Sequence, residues 1–195
     1  MSFLWIFLPL LLIIYFIADK KYKNLILVLF SLLFYAWGQI DYIILLLLSV
    51  IINYIIGMII DNVKNKKIKM IVFIIGLIIN IAFLGYYKYS NFIISNINRI
   101  FNTSLNLVNL GLPLGISFYT FSNISYIADI FRGEVKPEKN IINYSLYVVL
   151  FPKLTMGPIE QYKDFSKQIK DRCITRDSFY NGIINFGYGL FKKAF

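Results

Sequence analysis

Blocks of mainly apolar residues alternate along the chain with short polar or basic segments. The blocks cover residues 3–18, 25–37, 42–60, 70–87, 112–131, 141–159 and 179–195. A helix rises about 1.5 Å per residue, so roughly 20 apolar residues cross the ~30 Å hydrocarbon core of a bilayer. Several blocks approach that length, and the shorter block 25–37 requires a thinned bilayer or shielding by other helices.

This pattern predicts an all-α fold, a polytopic membrane protein with one domain over residues 1–195. We expect about five spanning helices, together with interfacial and re-entrant segments. Residues 38–41 are a predicted tight turn that makes a helical hairpin of its two neighbouring blocks. Residues 89–102 space their apolar side chains by three and four, which predicts an amphipathic helix in the membrane interface. Residues 160–178 are polar and basic and are predicted as a loop.

The distribution of Lys and Arg predicts an orientation. Loops 19–24, 61–69 and 132–140 carry three, four and three basic residues, whereas 38–41 carries none and 88–111 carries two. Basic loops favour the cytoplasm, so the amino terminus is predicted outside the cell membrane. The five basic residues of 160–178 also favour the cytoplasm. Both flanks of 141–159 then lie on one side, and we predict that this segment enters the membrane and returns without crossing.

Composition excludes some classes of protein and partner. The chain is 58% hydrophobic and 15% charged, with a mean hydropathy of +0.68, far from the balance of a soluble domain. Its net charge of +10 comes from clusters between apolar blocks. Such clusters indicate topology and contact with anionic membrane lipid, and nucleic acid is not an expected partner. A single cysteine, Cys173, and the absence of histidine exclude an intramolecular disulfide and a multi-cysteine zinc site, and no metal site is expected.

Two groups of residues are candidates for lining a substrate passage. The residues of the first group are separated by four, three, four and three positions, so they lie on one face of a helix and form a stripe. They are Gly115, Tyr119, Ser122, Tyr126 and Asp129. Polar side chains are costly in lipid, so this stripe is expected either to pack against other helices or to form a wall of a substrate tunnel. The second group interrupts block 141–159 and consists of Pro152, Gly157 and Pro158. It is expected to form either a plain re-entrant turn or the lining of a cavity.

Other polar residues have simpler interpretations. Asn53 and Asn80 lie within apolar blocks and are expected to hydrogen-bond between helices. Cys173 lies beside Arg172, so an acyl-carrying thiol is conceivable, although a lone loop cysteine is usually incidental. With no histidine, the usual base near pH 7 is missing, and no catalytic residue is assigned.

Four motifs together resemble the alginate O-acetyltransferase branch of the membrane-bound O-acyltransferase (MBOAT) family. They occur in order at residues 33–38, at 112–121 followed by 125–126 and 129–134, at 151–159 with 162–165, and at 189–193. The chain departs from the family at Ser122 and Lys153, where glutamine is common, and at Gln161, where arginine is common. These departures concern the choice of substrate more than membership.

The resemblance implies an MBOAT-like helical bundle around a tunnel. It implies acetyl transfer from a cytoplasmic donor, acetyl-CoA as co-substrate, toward an extracytoplasmic polysaccharide, with an extracytoplasmic polysaccharide acetyltransferase as partner. The family's catalytic histidine would lie beyond Phe195. We therefore expect residues 1–195 to be the amino-terminal scaffold of a longer enzyme and to be inactive alone. A non-enzymatic membrane transport or assembly subunit is the alternative.

Overall fold

A computed structural model describes residues 3–108, 110–157, 160–170, 172 and 175–194. Within these residues every regular element is helical, which confirms the predicted fold class. The helices are α1 (Leu8–Ile17), α2 (Lys23–Gln39), α3 (Ile43–Asn62), α4 (Lys66–Leu84), α5 (Ser90–Phe101), α6 (Ile116–Arg132), α7 (Ile141–Val149), α8 (Phe151–Met156), α9 (Tyr162–Lys170) and α10 (Arg176–Ala194). Short π-helical turns cover Phe3–Phe7 and Gly85–Tyr89, and a 3₁₀ turn covers Ile40–Tyr42.

Several helix boundaries follow from local chemistry. The side chains of Asn65 and Asn140 cap α4 and α7 by accepting hydrogen bonds of 2.9 Å from backbone amides two residues later. At the other end of a helix, Gly133 has a φ of 77° and terminates α6 in the left-handed conformation that glycine adopts without strain.

The bundle has two distinct ends because neighbouring helices alternate in direction. Phe73 stacks on Phe131, and Gly76 lies against Ile127, so α4 runs antiparallel to α6. In α3, by contrast, Ser49 contacts Asn123 and the later Gly57 contacts Tyr126 and Ile130, so α3 runs parallel to α6. We call the end that holds loops 18–22, 63–65 and 133–140 the basic end, and the end that holds 40–42, 102–108 and 110–115 the turn end.

Helix α6 lies at the centre and packs against α3, α4, α7, α8 and α9. Its inward side chains are fully enclosed, with Tyr126 and Ile127 both at 0% exposure. Two glycines allow this close packing. A Cβ at Gly57 would lie 2.6 Å from the Tyr126 ring, and one at Gly76 would lie 3.1 Å from Ile127. Small residues therefore set the spacing between α6 and its two main neighbours.

The path of α7 and α8 determines where the polar interior forms. At the start of α7, Asn143 accepts a hydrogen bond of 2.9 Å from Asn24 at the basic end. Farther along, the Phe151 amide donates to Ser31 Oγ at 3.1 Å, halfway along α2. The Leu154 carbonyl then lies against Gly115 at the turn end. After α8 the chain returns, and Lys163 pairs with Glu134 at 3.4 Å at the basic end. Both flanks of this segment thus lie at the same end of the bundle.

Several boundaries differ from those predicted from the sequence. Helix α6 begins at Ile116, not within 112–115, because Pro113 and the left-handed Gly115 (φ 68°) precede it. The predicted loop 160–178 was wrong in part, since it contains α9, whose Tyr162, Phe165 and Ile169 are buried. Helix α2 has 17 residues, more than the apolar block alone, because it starts at the polar Lys23.

Two helical runs, Lys23–Asn62 and Lys66–Phe101, are long and apolar enough to cross a membrane by length and composition. The first contains α2 and α3, and the second contains α4 and α5. Many large apolar side chains of α3 and α4 point away from the bundle, including Ile44, Ile71 and Ile78, which are 56–67% exposed. Such surfaces suit contact with lipid. The number of spans, about five, stays a prediction.

Candidate functional site

The most distinctive polar feature lies where α6, α7 and α9 meet. Four tyrosines, Tyr126, Tyr144, Tyr147 and Tyr162, have exposures of 0–2% and form what we call the tyrosine core. The ring of Tyr126 lies 4.3 Å from that of Tyr144 and 4.8 Å from that of Tyr162, and Tyr147 lies 5.1 Å from Tyr162. These separations are in the range of favourable aromatic pairs. The tyrosine core therefore joins three helices that are distant in sequence.

Each hydroxyl of the tyrosine core has a specific partner. Tyr144 donates to Asn123 Oδ1 at 2.7 Å, and Asn123 in turn donates to Ser49 Oγ at 2.8 Å. Tyr147 donates to the Glu160 carbonyl oxygen at 2.9 Å, and Tyr126 accepts from the Glu138 amide at 3.2 Å. Buried polar groups are stable only when paired in this way. The hydroxyls thus fix the two connecting segments, 133–140 and 160–161, against the bundle.

Glu138 brings a carboxylate to the edge of the tyrosine core. It is 7% exposed, and it accepts hydrogen bonds from Tyr162 OH at 3.1 Å and from the Asn140 amide at 3.2 Å. Burial, and then the nearby Glu138 charge, raise the pKa of the Tyr162 hydroxyl well above its usual value. Tyr162 therefore stays protonated and remains a hydrogen-bond donor to the carboxylate.

Lys153 of α8 places a positive charge between aromatic rings. Its Nζ lies 4.4 Å from the Tyr147 ring centroid and 4.2 Å from that of Phe165. The same atom is 3.8 Å from Glu160 Oε2, and the Lys153 residue is 9% exposed. Cation–π attraction and this carboxylate together stabilise a lysine that would otherwise be costly to bury. The side chain of Glu160 is 39% exposed, so the pair connects the interior with the surface.

The predicted stripe lies on the buried face of α6, apart from Gly115, which precedes the helix. Tyr119, Ser122, Tyr126 and Asp129 are all 5% exposed or less. Among the described residues, Tyr119 OH and Asp129 Oδ2 have no hydrogen-bond partner. The stripe packs against other helices: Tyr126 contacts Tyr144 of α7, Tyr162 of α9 and Gly57 of α3. Its role in a tunnel stays a prediction.

The second predicted group is separated by the structure. Pro152 lines an apolar groove of about 870 Å³ between α1, α2, α8 and α10, together with Phe3, Phe34 and Thr155. Gly157 ends α8, where a Cβ would collide with the backbone of Lys153. Pro158 and Cys173 lie outside the described residues.

One sequence-based prediction about interhelical bonding is confirmed. Asn80 donates to Asn53 Oδ1 at 2.7 Å, and Asn53 donates to Asn80 Oδ1 at 3.2 Å, so the two amides pair reciprocally between α3 and α4. Of the tyrosine core, the sequence analysis singled out only Tyr126; it missed the others, although Tyr144 and Tyr147 are spaced by three in a block with few other polar groups. That spacing was the available signal. The partners of these tyrosines come from distant parts of the chain.

Among the described residues, the buried polar groups around the tyrosine core do not form a complete acid–base pair of the usual kind. The sequence has no histidine, and the carboxylates of Glu138 and Glu160 already have partners. Asp129 and Tyr119 offer polar atoms within the bundle. Such groups suit positioning and hydrogen bonding more than proton transfer near neutral pH.

Comparison with known proteins identifies relatives over nearly the whole chain. The chain is 37% identical over 199 aligned residues to the probable alginate O-acetylase AlgI of Pseudomonas aeruginosa, covering 99% of the chain and 38% of that protein. It is 32% identical to the peptidoglycan O-acetyltransferase of Helicobacter pylori, covering 98% of the chain and 42% of the relative. A 28% identical match to the teichoic acid D-alanyltransferase of Bacillus subtilis covers 44% of the chain and 22% of that protein.

No family model and no solved structure matches the chain. The chain spans about 38% of the length of the alginate O-acetylase it matches. High coverage of the chain at this identity establishes common descent. Over nearly its whole length, the chain is homologous to proteins named probable alginate O-acetylase, and this coverage is that of an amino-terminal part of a protein similar to the membrane-bound O-acyltransferases.

Proposed function

We propose that this chain forms the scaffold of a membrane enzyme that moves an acetyl group onto a polysaccharide outside the membrane. The 37% identity to an alginate O-acetylase over 99% of the chain is the observation that carries this proposal. The peptidoglycan and teichoic acid relatives support it, because their names also describe acyl transfer to polymers of the cell envelope.

The donor in this proposal is a cytoplasmic acyl thioester, acetyl-CoA, that acts as a co-substrate. The protein is a multi-pass protein of the cell membrane with its amino terminus outside, so the donor meets the basic end of the bundle. The α6 stripe, Pro152, Gly157 and Pro158 contribute to the wall of the passage. An extracytoplasmic acetyltransferase receives the group at the turn end and places it on the polymer.

Residues 1–195 contain no histidine to act as base, so the catalytic group of this proposal comes from outside them. The tyrosine core would hold α6, α7 and α9 in position for that group. Stable positioning of this kind supports catalysis without direct participation in bond making.

Acetyl transfer in isolated membranes tests the proposal. Membranes that contain the full natural gene product, supplied with radiolabelled acetyl-CoA, are expected to transfer label to an extracytoplasmic acceptor. Membranes with residues 1–195 alone, expressed to the same level, are expected to transfer none. Failure of the full product to use any acyl thioester would overturn the enzymatic proposal. Activity of residues 1–195 alone would overturn the assignment of the chain as scaffold.

A further inference from the structure

A second cavity lies at the basic end, away from the tyrosine core. It has a volume of about 710 Å³ and lies between the end of α1, the start of α2, the start of α7 and the end of α9. We call it the basic groove. Its described polar lining consists of Lys20, Lys21, Lys23, Asn24, Asn140, Asn143, Tyr15 and Arg172. Segments separated by more than a hundred residues thus meet around one opening.

Specific contacts hold these segments together. Arg172 Nη1 donates to Tyr15 OH at 3.4 Å across 157 positions of sequence. Asn24 donates to Asn143 Oδ1 at 2.9 Å across 119 positions. Lys23 Nζ lies 4.8 Å from the centroid of the Tyr15 ring, on which it is positioned by cation–π attraction. Tyr15 therefore orients both an arginine and a lysine at the groove.

The charged side chains described in the lining of the basic groove are all positive. Among the described residues that line it, four are cationic and none is a carboxylate. Within the described part of the chain, none of these four cations forms an ion pair. Like charges that converge on one cavity repel each other, so a bound anion would stabilise this end of the bundle.

The shape and donors of the basic groove suit a phosphate group. Arginine binds phosphate oxygens through two parallel N–H donors, and lysine adds a compact charge. Its volume falls within the ~300–1,000 Å³ usual for small-molecule sites and exceeds what one bare phosphate fills. A ligand that fills the groove therefore needs an attached group beside its phosphate, and Phe16, Leu25 and Ile142 provide apolar lining for such a group.

We propose that the basic groove is a binding site for an organic phosphate, held by Lys20, Lys23 and Arg172. Two sources supply this chemistry on a cytoplasmic face: the head group of an anionic phospholipid and a soluble phosphate ester of the coenzyme A type. The proposal does not depend on acyl transfer, because binding is measured directly.

The test uses the full natural protein and two probes. In neutral detergent, the affinity for coenzyme A is measured by calorimetry, and the retention of phosphatidylglycerol is measured by native mass spectrometry. The triple variant Lys20→Gln/Lys23→Gln/Arg172→Gln is compared with Lys64→Gln/Lys66→Gln/Lys67→Gln, which removes the same charge from the same end outside the groove. We expect the groove variant to lose about tenfold or more in affinity for one probe, and the control variant to lose less than about threefold.

A second variant distinguishes specific binding in the basic groove from general electrostatic attraction between the phosphate and a cationic protein. It also remains informative if the triple variant does not fold. Tyr15→Phe removes the hydroxyl that holds Arg172 but leaves every charge in place. We expect it to weaken binding of the same probe severalfold. Which probe responds identifies the source of the phosphate. Equal losses in the groove and control variants, unchanged binding in Tyr15→Phe, or binding of neither probe by the natural protein would each overturn the proposal.

Discussion

Gly57 shows how one residue sets the distance between two helices. The α3 backbone approaches Tyr126 so closely at this point that a Cβ would lie 2.6 Å from the ring carbon Cε1 and 3.0 Å from Ile130. Both neighbours are fully buried, at 0% and 1% exposure, and have little space into which to move. The glycine is therefore required by packing, and its backbone needs no special conformation.

Gly57→Ala is expected to destabilise the protein by about 1–3 kcal/mol, because it overpacks a filled interface. Gly187→Ala in α10 is the matched control, since nothing lies within 4 Å of its Cβ position. Thermal unfolding in detergent, followed by circular dichroism, compares the two. Equal melting temperatures for both variants would contradict the close packing of α3 on α6.

A second prediction for a single residue concerns the hydroxyl of Tyr162. Tyr162→Phe removes the hydroxyl that donates to Glu138 Oε2 and leaves a buried carboxylate with one donor fewer. We expect a loss of about 1–3 kcal/mol in the free energy of unfolding. Tyr180→Phe, at a position 65% exposed, serves as the control and should change little. If Tyr162→Phe unfolds at the same denaturant concentration as the natural protein, the hydrogen bond does not contribute as proposed.

At the scale of elements, the break between α7 and α8 depends on a side chain from α2. The break leaves the Phe151 amide without an intrahelical partner, and Ser31 Oγ accepts its hydrogen at 3.1 Å. Ser31 itself donates to the Leu27 carbonyl at 2.7 Å and is fully buried. Ser31 of α2 thus stabilises the break between α7 and α8.

Ser31→Ala is expected to destabilise the α7–α8 segment by about 1–3 kcal/mol, because a buried amide loses its acceptor. Ser95→Ala, at an exposed position of α5, provides the control. Hydrogen exchange measured by mass spectrometry should show faster exchange in a peptide that includes Phe151 in the first variant only. Unchanged exchange in that peptide would show that another group supports the break.

The sequence predicted most helices because their apolar blocks are long, and it missed α9 because averaging over a polar segment hides a narrow apolar face. Tyr162, Phe165 and Ile169 follow the helical spacing of three and four, so the signal was present. The tyrosine core could not be predicted in the same way. Its hydroxyls pair with Asn123, Glu138 and Glu160, and these pairs exist only after α7 has entered the bundle.

At the scale of the whole molecule, the distribution of basic residues along the chain agrees with the directions of the helices in the bundle. Three loops rich in lysine and arginine, 19–24, 61–69 and 132–140, fall at one end of the bundle, and the turn at 40–42, which has no lysine or arginine, falls at the other. Positive charge favours the cytoplasmic side of a membrane. The basic groove and the two flanks of the α7–α8 segment also lie at this basic end.

The path of α7 and α8 is the feature on which the placement of the tyrosine core, the basic groove and the proposed passage depends. Site-directed labelling measures it directly. In a Cys173→Ser background, Lys136→Cys, Lys167→Cys and Thr103→Cys are each exposed positions that can be treated with a membrane-impermeant maleimide in intact cells and in inverted vesicles. We predict that positions 136 and 167 are labelled from the cytoplasmic side and that position 103 is labelled from the outside. Labelling of positions 136 and 167 from opposite sides would contradict the account.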